Sequence, residues 1–375
     1  NAKHEGISMK SILLASASVV AFAGAAAAEV TFGGSATLGY NDTVNAFDDN
    51  HDGFYWSADV AVTLSQELNN GLTATGTFGI DVSDDSSGLD LESNSFLISL
   101  TSDSAGLYFG DTTFAAETYW AAAGDMESDG FSAADGETVL RGEITYGGVT
   151  AGVSYAVTDA AGHAATSDID QLSVGAKGSF GQFNFSVAYQ EASQGPAGAY
   201  DPNGENGDFN LGQIFGVSAG TSFSGADLTV AYVQNTTADT TSIGVQVAYP
   251  FGPVTLTGYY VMEDTGAGDV DDNYGINVAY ASGAMGVALD FQNDQGVQKI
   301  AIDGTYDIGN GITVLAGYYT ADDRADDEYY VAGSYDLGNG ANLLASYAVG
   351  PSNPDDEIGG PAYQEGATVE ITFSF

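Results

Sequence analysis

Cysteine is absent from the 375 residues. No disulfide framework, thiolate metal cluster or thiol chemistry is therefore available. Cations are nearly as scarce, with six Lys plus Arg against 51 Asp plus Glu and a formal charge of −45. That balance excludes nucleic acid as a partner, because neutralising phosphates takes Lys and Arg. Histidine is confined to His4, His51 and His163. No spacing between them and a Ser or Asp singles out a catalytic pair, so the sequence reads as a non-enzyme. The one sustained apolar run, from Ile12 to Ala28, is too short and alanine-rich for a membrane-spanning helix.

What is present points to a folded chain rather than a disordered acidic one. Hydrophobic residues make up 44%, with 22 Tyr, 19 Phe and 51 Gly. The charge must then lie on solvated surfaces, where like charges repel unless salt or bound cations screen them.

The first segment reads as an address. Met9-Lys10-Ser11 is followed by an apolar run and by Ala26-Ala27-Ala28 ahead of Glu29. A positive start, a short apolar stretch and an Ala-x-Ala site make a cleavable signal peptide. The predicted organisation is an upstream extension over 1–8, a signal peptide over 9–28 and one β-barrel domain over 29–375. Removing Lys3, Glu5 and Lys10 takes the formal charge from −45 to −46.

From Glu29 onward, apolar residues alternate with period two, and no helical stripe is sustained. Val30, Phe32, Ala36, Leu38 and Tyr40 share one face; Ala58, Val60, Val62 and Leu64 share another, against Asp59, Ala61, Thr63 and Ser65. Tight-turn signals recur, from Asn69-Asn70-Gly71 through Gly147-Gly148 and Ser224-Gly225 to Gly338-Asn339-Gly340, nine in all. Longer acidic connections lie between them, among them Asn41–Asp52, Val82–Asp90, Asp159–Asp168, Ala192–Asn210, Glu263–Asp272 and Gly350–Gly366. Tight turns at one end and long polar loops at the other are the layout of an outer-membrane barrel.

Aromatics fall at two levels. Phe223, Phe251, Tyr280, Tyr306 and Tyr335 precede turns, while Tyr189, Tyr232, Tyr259, Phe291, Tyr318 and Tyr347 sit near the opposite strand ends. Rings with a polar tip favour the two membrane–water boundaries. A repeat near 28 residues also fits a propeller, but one long loop and one tight turn per repeat does not. The fold class is all-β: a closed antiparallel transmembrane β-barrel of 16 to 20 strands, with the direct tally favouring about 20.

The chain ends Val369-Glu370-Ile371-Thr372-Phe373-Ser374-Phe375, an amphipathic strand with a terminal Phe. Together with Glu29-Val30-Thr31-Phe32-Gly33-Gly34, Leu107-Tyr108-Phe109-Gly110-Asp111 and Tyr335-Asp336-Leu337-Gly338-Asn339-Gly340, it resembles the alphaproteobacterial general porins. That resemblance implies a homotrimeric, water-filled barrel in outer-membrane lipid, passing small hydrophilic solutes and ions. It implies recognition of the strand ending in Phe375 by the barrel-assembly machinery, and a third loop folded inward as a constriction. The family's barrel usually has about 16 strands, fewer than the tally here.

The third outer connection, Thr112–Gly136, carries Glu117, Tyr119, Trp120, Asp125, Met126, Glu127, Asp129, Phe131 and Asp135. Its aromatics suit packing against the barrel wall, which makes it the expected constriction. Its carboxylates would concentrate cations. General porins face that loop with an arginine cluster, and the sequence departs there. After Glu29 the cations are only Arg141, Lys177, Lys299 and Arg324. Alternation places Arg141 on the lumenal face with Glu143 and Thr145, and makes it the best candidate for a cationic wall. Lys177, Lys299 and Arg324 are read as pairing with adjacent carboxylates. Marked cation selectivity is the expectation.

No cofactor is required by this reading, though calcium bound by the acidic outer loops is an option. Asp48, Asn50 and Asp52 match the opening of a calcium loop, but position twelve is Asp59 rather than Glu. Asp269, Asp271 and Asn273 form a weaker second candidate. Competing functions are a plugged structural or adhesive barrel, a solute-specific channel and a secreted calcium-binding β-protein.

Overall fold

Alternation along the chain becomes twenty strands. A computed structural model describes residues 28–43, 53–85, 88–133, 137–158, 170–193, 209–264, 266, 271–322, 327–350 and 358–375. The segments before Ala28, which hold the predicted extension and nearly all of the signal peptide, lie outside the described residues. The strands are β1 (Glu29–Asn41), β2 (Phe54–Glu67), β3 (Thr73–Asp85), β4 (Gly88–Thr101), β5 (Ala105–Gly110), β6 (Thr138–Tyr146), β7 (Val149–Thr158), β8 (Asp170–Phe180), β9 (Phe183–Gln190) and β10 (Ile214–Phe223). Then follow β11 (Ala226–Asn235), β12 (Thr240–Phe251), β13 (Val254–Asp264), β14 (Asn273–Ser282), β15 (Met285–Asp294), β16 (Val297–Gly309), β17 (Ile312–Ala321), β18 (Glu328–Gly338), β19 (Ala341–Val349) and β20 (Gly366–Ser374).

Each strand pairs antiparallel with the next, and β20 returns to β1 from Ser35↔Ser374 to Asn41↔Thr368. The sheet is a closed 20-stranded barrel without an edge. Closure continues through the last residue, whose backbone N–H donates to the Gly34 carbonyl at 2.9 Å.

The large apolar side chains face outward. Tyr146 is 86% exposed, Phe180 83% and Phe375 81%, which is the reverse of a water-soluble protein. No described helix is long and apolar enough to cross a membrane; the crossing elements are strands. Both aromatic levels are present, with one correction. Leu256, Tyr260 and Met262 are the exposed large hydrophobic residues of β13, so Tyr260 holds the outer position and Tyr259 turns inward. With two consecutive tyrosines, only the register of the whole strand decides which one meets lipid.

The nine predicted tight turns each join two strands. Among the loops, Val82–Asp90 is corrected: β3 and β4 stay paired through Ser83↔Asp90 and Asp85↔Gly88. Acidic residues there read as a loop, but the paired hairpin satisfies its own backbone.

The buried apolar residues lie inside the barrel. Phe114, Ala116, Ala123, Met126 and Phe131, all from the β5–β6 connection, pack against inward residues such as Val139, Ala188, Ile214 and Val233. This connection also holds the short helix α1 (Ala115–Tyr119), which the strand-only reading missed.

Candidate functional site

The third loop is built to lie on the wall. Many inward positions of the facing strands are small or polar, so the loop backbone can approach them there. A Cβ on Gly175 of β8 would stand 2.3 Å from the Ala115 carbonyl oxygen, and one on Gly244 of β12 would stand 2.1 Å from that of Ala123. Glycine leaves the room that any side chain would take. Hydroxyls and amides from the same faces then accept the loop's backbone N–H groups. Ala115 N donates to Ser154 Oγ and Ala116 N to Ser173 Oγ, both at 2.8 Å. Further along, Gly124 N donates to Gln246 Oε1 at 3.0 Å, Ser128 N to Ser242 Oγ at 3.0 Å and Ser132 N to Gln190 Oε1 at 2.8 Å. Buried backbone donors need such partners, and here wall side chains replace a neighbouring strand.

At its far reach the loop meets β13, β14 and β15. Asn273 Nδ2 donates to Asp125 Oδ2 at 3.1 Å and to Glu127 Oε1 at 2.8 Å, while Gln292 Nε2 donates to Asp125 Oδ2 at 2.8 Å. The loop therefore runs from its root at β5 and β6 to β15 inside the barrel.

Of the sequence-predicted site residues, Glu117 and Glu127 are exposed within the lumen, and Asp125 and Asp129 are half-buried. Asp135 lies outside the described residues. Asp129 accepts from Trp120 Nε1 at 2.8 Å. Burial pushes its carboxyl up to about 6, against the opposing pull of the Trp120 bond and with help from the Glu127 charge. Tyr119 is also raised, first by burial and then by its hydrogen bond to Glu143 Oε2 at 2.6 Å.

Arg141 and Glu143 do share the lumenal face, yet Arg141 is turned toward the loop root. Its Nη1 donates to the Thr113 carbonyl at 2.8 Å and to Thr118 Oγ1 at 2.7 Å, and its guanidinium sits 4.9 Å from the Tyr108 ring centroid. Its side chain is only 12% exposed. Lys177 departs from the carboxylate pairing predicted for it. Its Nζ contacts the Thr118 carbonyl at 3.4 Å and lies 5.6 Å from the Tyr119 ring centroid. Lys299 pairs with Asp294 at 2.8 Å, as an adjacent carboxylate predicts. Arg324 lies outside the described residues.

The free wall carries the other sign. Asp59 on β2, Asp81 on β3, Asp303 on β16 and Glu370 on β20 all occupy inward positions. Ser35 Oγ donates to Asp59 at 2.6 Å and Tyr55 OH to Glu370 at 2.7 Å. Acidic loop and acidic wall thus face each other, while two of the three described cations tether the loop.

Asp48, Asn50, Asp52 and Asp269 lie outside the described residues, and Asn273 is committed to the third loop. Among the described residues, Asp125, Glu127 and Asp294 bring one carboxylate oxygen each within 4.8 Å of the others. Each already has a donor: Gln292 and Asn273 for Asp125, Asn273 for Glu127 and Lys299 for Asp294.

The residues missed from sequence are those that seat the loop, namely Ser154, Ser173, Gln190, Ser242, Gln246, Glu263 and Gln292, while Asn273 was read only as a calcium candidate. Their only signal is the run of small or polar side chains at inward strand positions.

A family model described as Gram-negative porin matches residues 15–354. The chain belongs to this family. It is a porin channel of the outer membrane of a Gram-negative bacterium, and the family indicates a channel rather than an enzyme. No curated protein matches the chain. Similar solved structures include a variant of Rh. blastica porin with five substitutions, at 16% identity and TM-score 0.45, covering 92% of this chain and 100% of that one. A triple mutant of Rhodopseudomonas blastica porin is similar at 16% identity and TM-score 0.42, again over 92% and 100%. The porin strand number here, 20, exceeds the usual value for the resemblance and agrees with the tally from turns.

Proposed function

We propose that this porin is a cation-selective, water-filled channel for small hydrophilic solutes, constricted by its third loop. The constriction is assigned to Glu117, Asp125, Glu127, Asp129 and Glu143, with Asp135 in the same loop and Arg141 as the tether at its root. The observation that carries the reading is the placement of charge. Carboxylates of the loop and of the wall line the lumen and outnumber the described cations: Arg141 and Lys177 hold the loop, Arg141 also lying 3.9 Å from Glu143, and Lys299 pairs with Asp294. Low-dielectric walls focus such a field and raise the local concentration of cations. Cleavage ahead of Glu29, assembly through the strand ending in Phe375 and a homotrimeric state belong to the same proposal, supported by family membership.

Reversal potentials across a planar bilayer in a potassium chloride gradient test it. The expected sign is that of potassium permeating faster than chloride. Anion preference would overturn the selectivity, and absence of ohmic conductance would favour a plugged barrel.

A further inference from the structure

A second segment turns into the lumen, on the wall that the third loop leaves open. Ile358 packs against Ala301 and Tyr319, both buried on inward faces of β16 and β17. Gly360 lies directly on a side-chain pair: a Cβ there would stand 2.1 Å from Asp303 Oδ1 and 2.2 Å from the Tyr330 hydroxyl. Tyr330 OH donates to Asp303 Oδ1 at 2.7 Å, which fixes the Tyr330 ring. Tyr363, further along the segment, meets that ring with centroids 4.9 Å apart and planes inclined at 56°. The two rings make a corner rather than a stack.

These residues line an open cleft with about 130 Å³ of space, among them Asp303, Tyr319, Tyr330, Ile358, Gly360 and Tyr363. A dry apolar cavity of about 150 Å³ admits benzene, so the space suits a ligand of about five to eight heavy atoms. Its lining combines five tyrosines, Tyr318, Tyr319, Tyr329, Tyr330 and Tyr363, with the carboxylates of Asp303 and Glu328, and no Lys, Arg or His. Aromatic faces carry the negative end of a quadrupole and attract alkylated ammonium groups. A hard metal ion binds chiefly through oxygen ligands and draws less from the ring faces than an alkylated ammonium does. A chain of net charge −45 also supplies cations to its own lumen.

We propose that this niche is a binding subsite for small quaternary or alkylated ammonium cations on their way through the pore. It rests on the channel reading only in needing a lumen that solutes can reach.

The test is calorimetric titration of the full chain, folded in detergent micelles, with choline and with tetramethylammonium. The control is 3,3-dimethylbutan-1-ol, the neutral carbon isostere of choline. Saturable binding of both cations and none of the isostere is expected. Tyr363→Ala, on a segment outside the strands, should weaken choline binding about tenfold, and Asp303→Asn should weaken it similarly. Heat-modifiable gel mobility confirms that each variant retains its barrel. Equal binding of the isostere, unchanged affinity in Tyr363→Ala, or no cation binding by the conducting protein each overturns the niche. A bilayer measurement separates the two readings, because loss of conductance alone strikes the channel and leaves the calorimetry standing.

Discussion

At the scale of single residues, Asp129 couples charge to burial. It is held within the third loop by the Trp120 indole, and burial pushes its carboxyl up to about 6. Below that value the side chain is neutral, and above it the loop gains a negative charge. The permeability ratio of potassium to chloride should therefore rise between about pH 5 and pH 7. Reversal potentials across that range measure it, and Asp129→Asn should flatten the change. The same sign governs stability. The folded carboxyl holds its proton more tightly than an unfolded one, so protonation as pH falls through about 6 favours the docked loop. A ratio independent of pH in the parent protein would show that Asp129 does not face the permeating ions.

At the scale of elements, the loop and its wall are matched through space rather than along the chain. Gly244 illustrates the point. In the sequence it is one glycine within an alternating strand, and valine would suit the strand better. In the barrel, a Cβ there would stand 2.1 Å from the Ala123 carbonyl. Gly244→Val should leave the barrel closed and lift the loop from β12. Heat-modifiable mobility should be retained while single-channel conductance changes and becomes noisier. Unaltered conductance would mean that the loop is seated by its other contacts. Gly244 also marks the limit of what the sequence could yield. Strands and turns were legible because alternation and Gly or Asn pairs are local signals, as at Gly147-Gly148 and Asn339-Gly340, all four with positive φ. The inward fold of the third loop was legible from its aromatics. Its seat was not, because Ser242, Gln246 and Gln292 lie 114, 122 and 167 residues from their loop partners. Nor was the role of Arg141: alternation fixed its face, but only the folded loop placed Thr113 and Thr118 within its reach.

For the whole molecule, the governing quantity is the charge of −46 on a barrel whose described cations are bound to loop or carboxylate. Two sources of selectivity respond differently to salt. A diffuse field from many acidic groups is screened over about 30 Å at 0.01 M salt and about 3 Å at 1 M. Carboxylates at the constriction itself act over a few ångströms and survive that screening better. The preference for potassium should accordingly be greatest in dilute salt and fall toward a plateau, still above unity, near 1 M. Replacing Glu117 and Glu127 together with Gln removes two exposed loop charges and little of the total, so it should lower the plateau and leave most of the rise in dilute salt. Reversal potentials measured at fixed gradient ratio over that salt range separate the contributions. A plateau unchanged in the double variant would move the selecting charges from the third loop to the wall of Asp59, Asp81, Asp303 and Glu370.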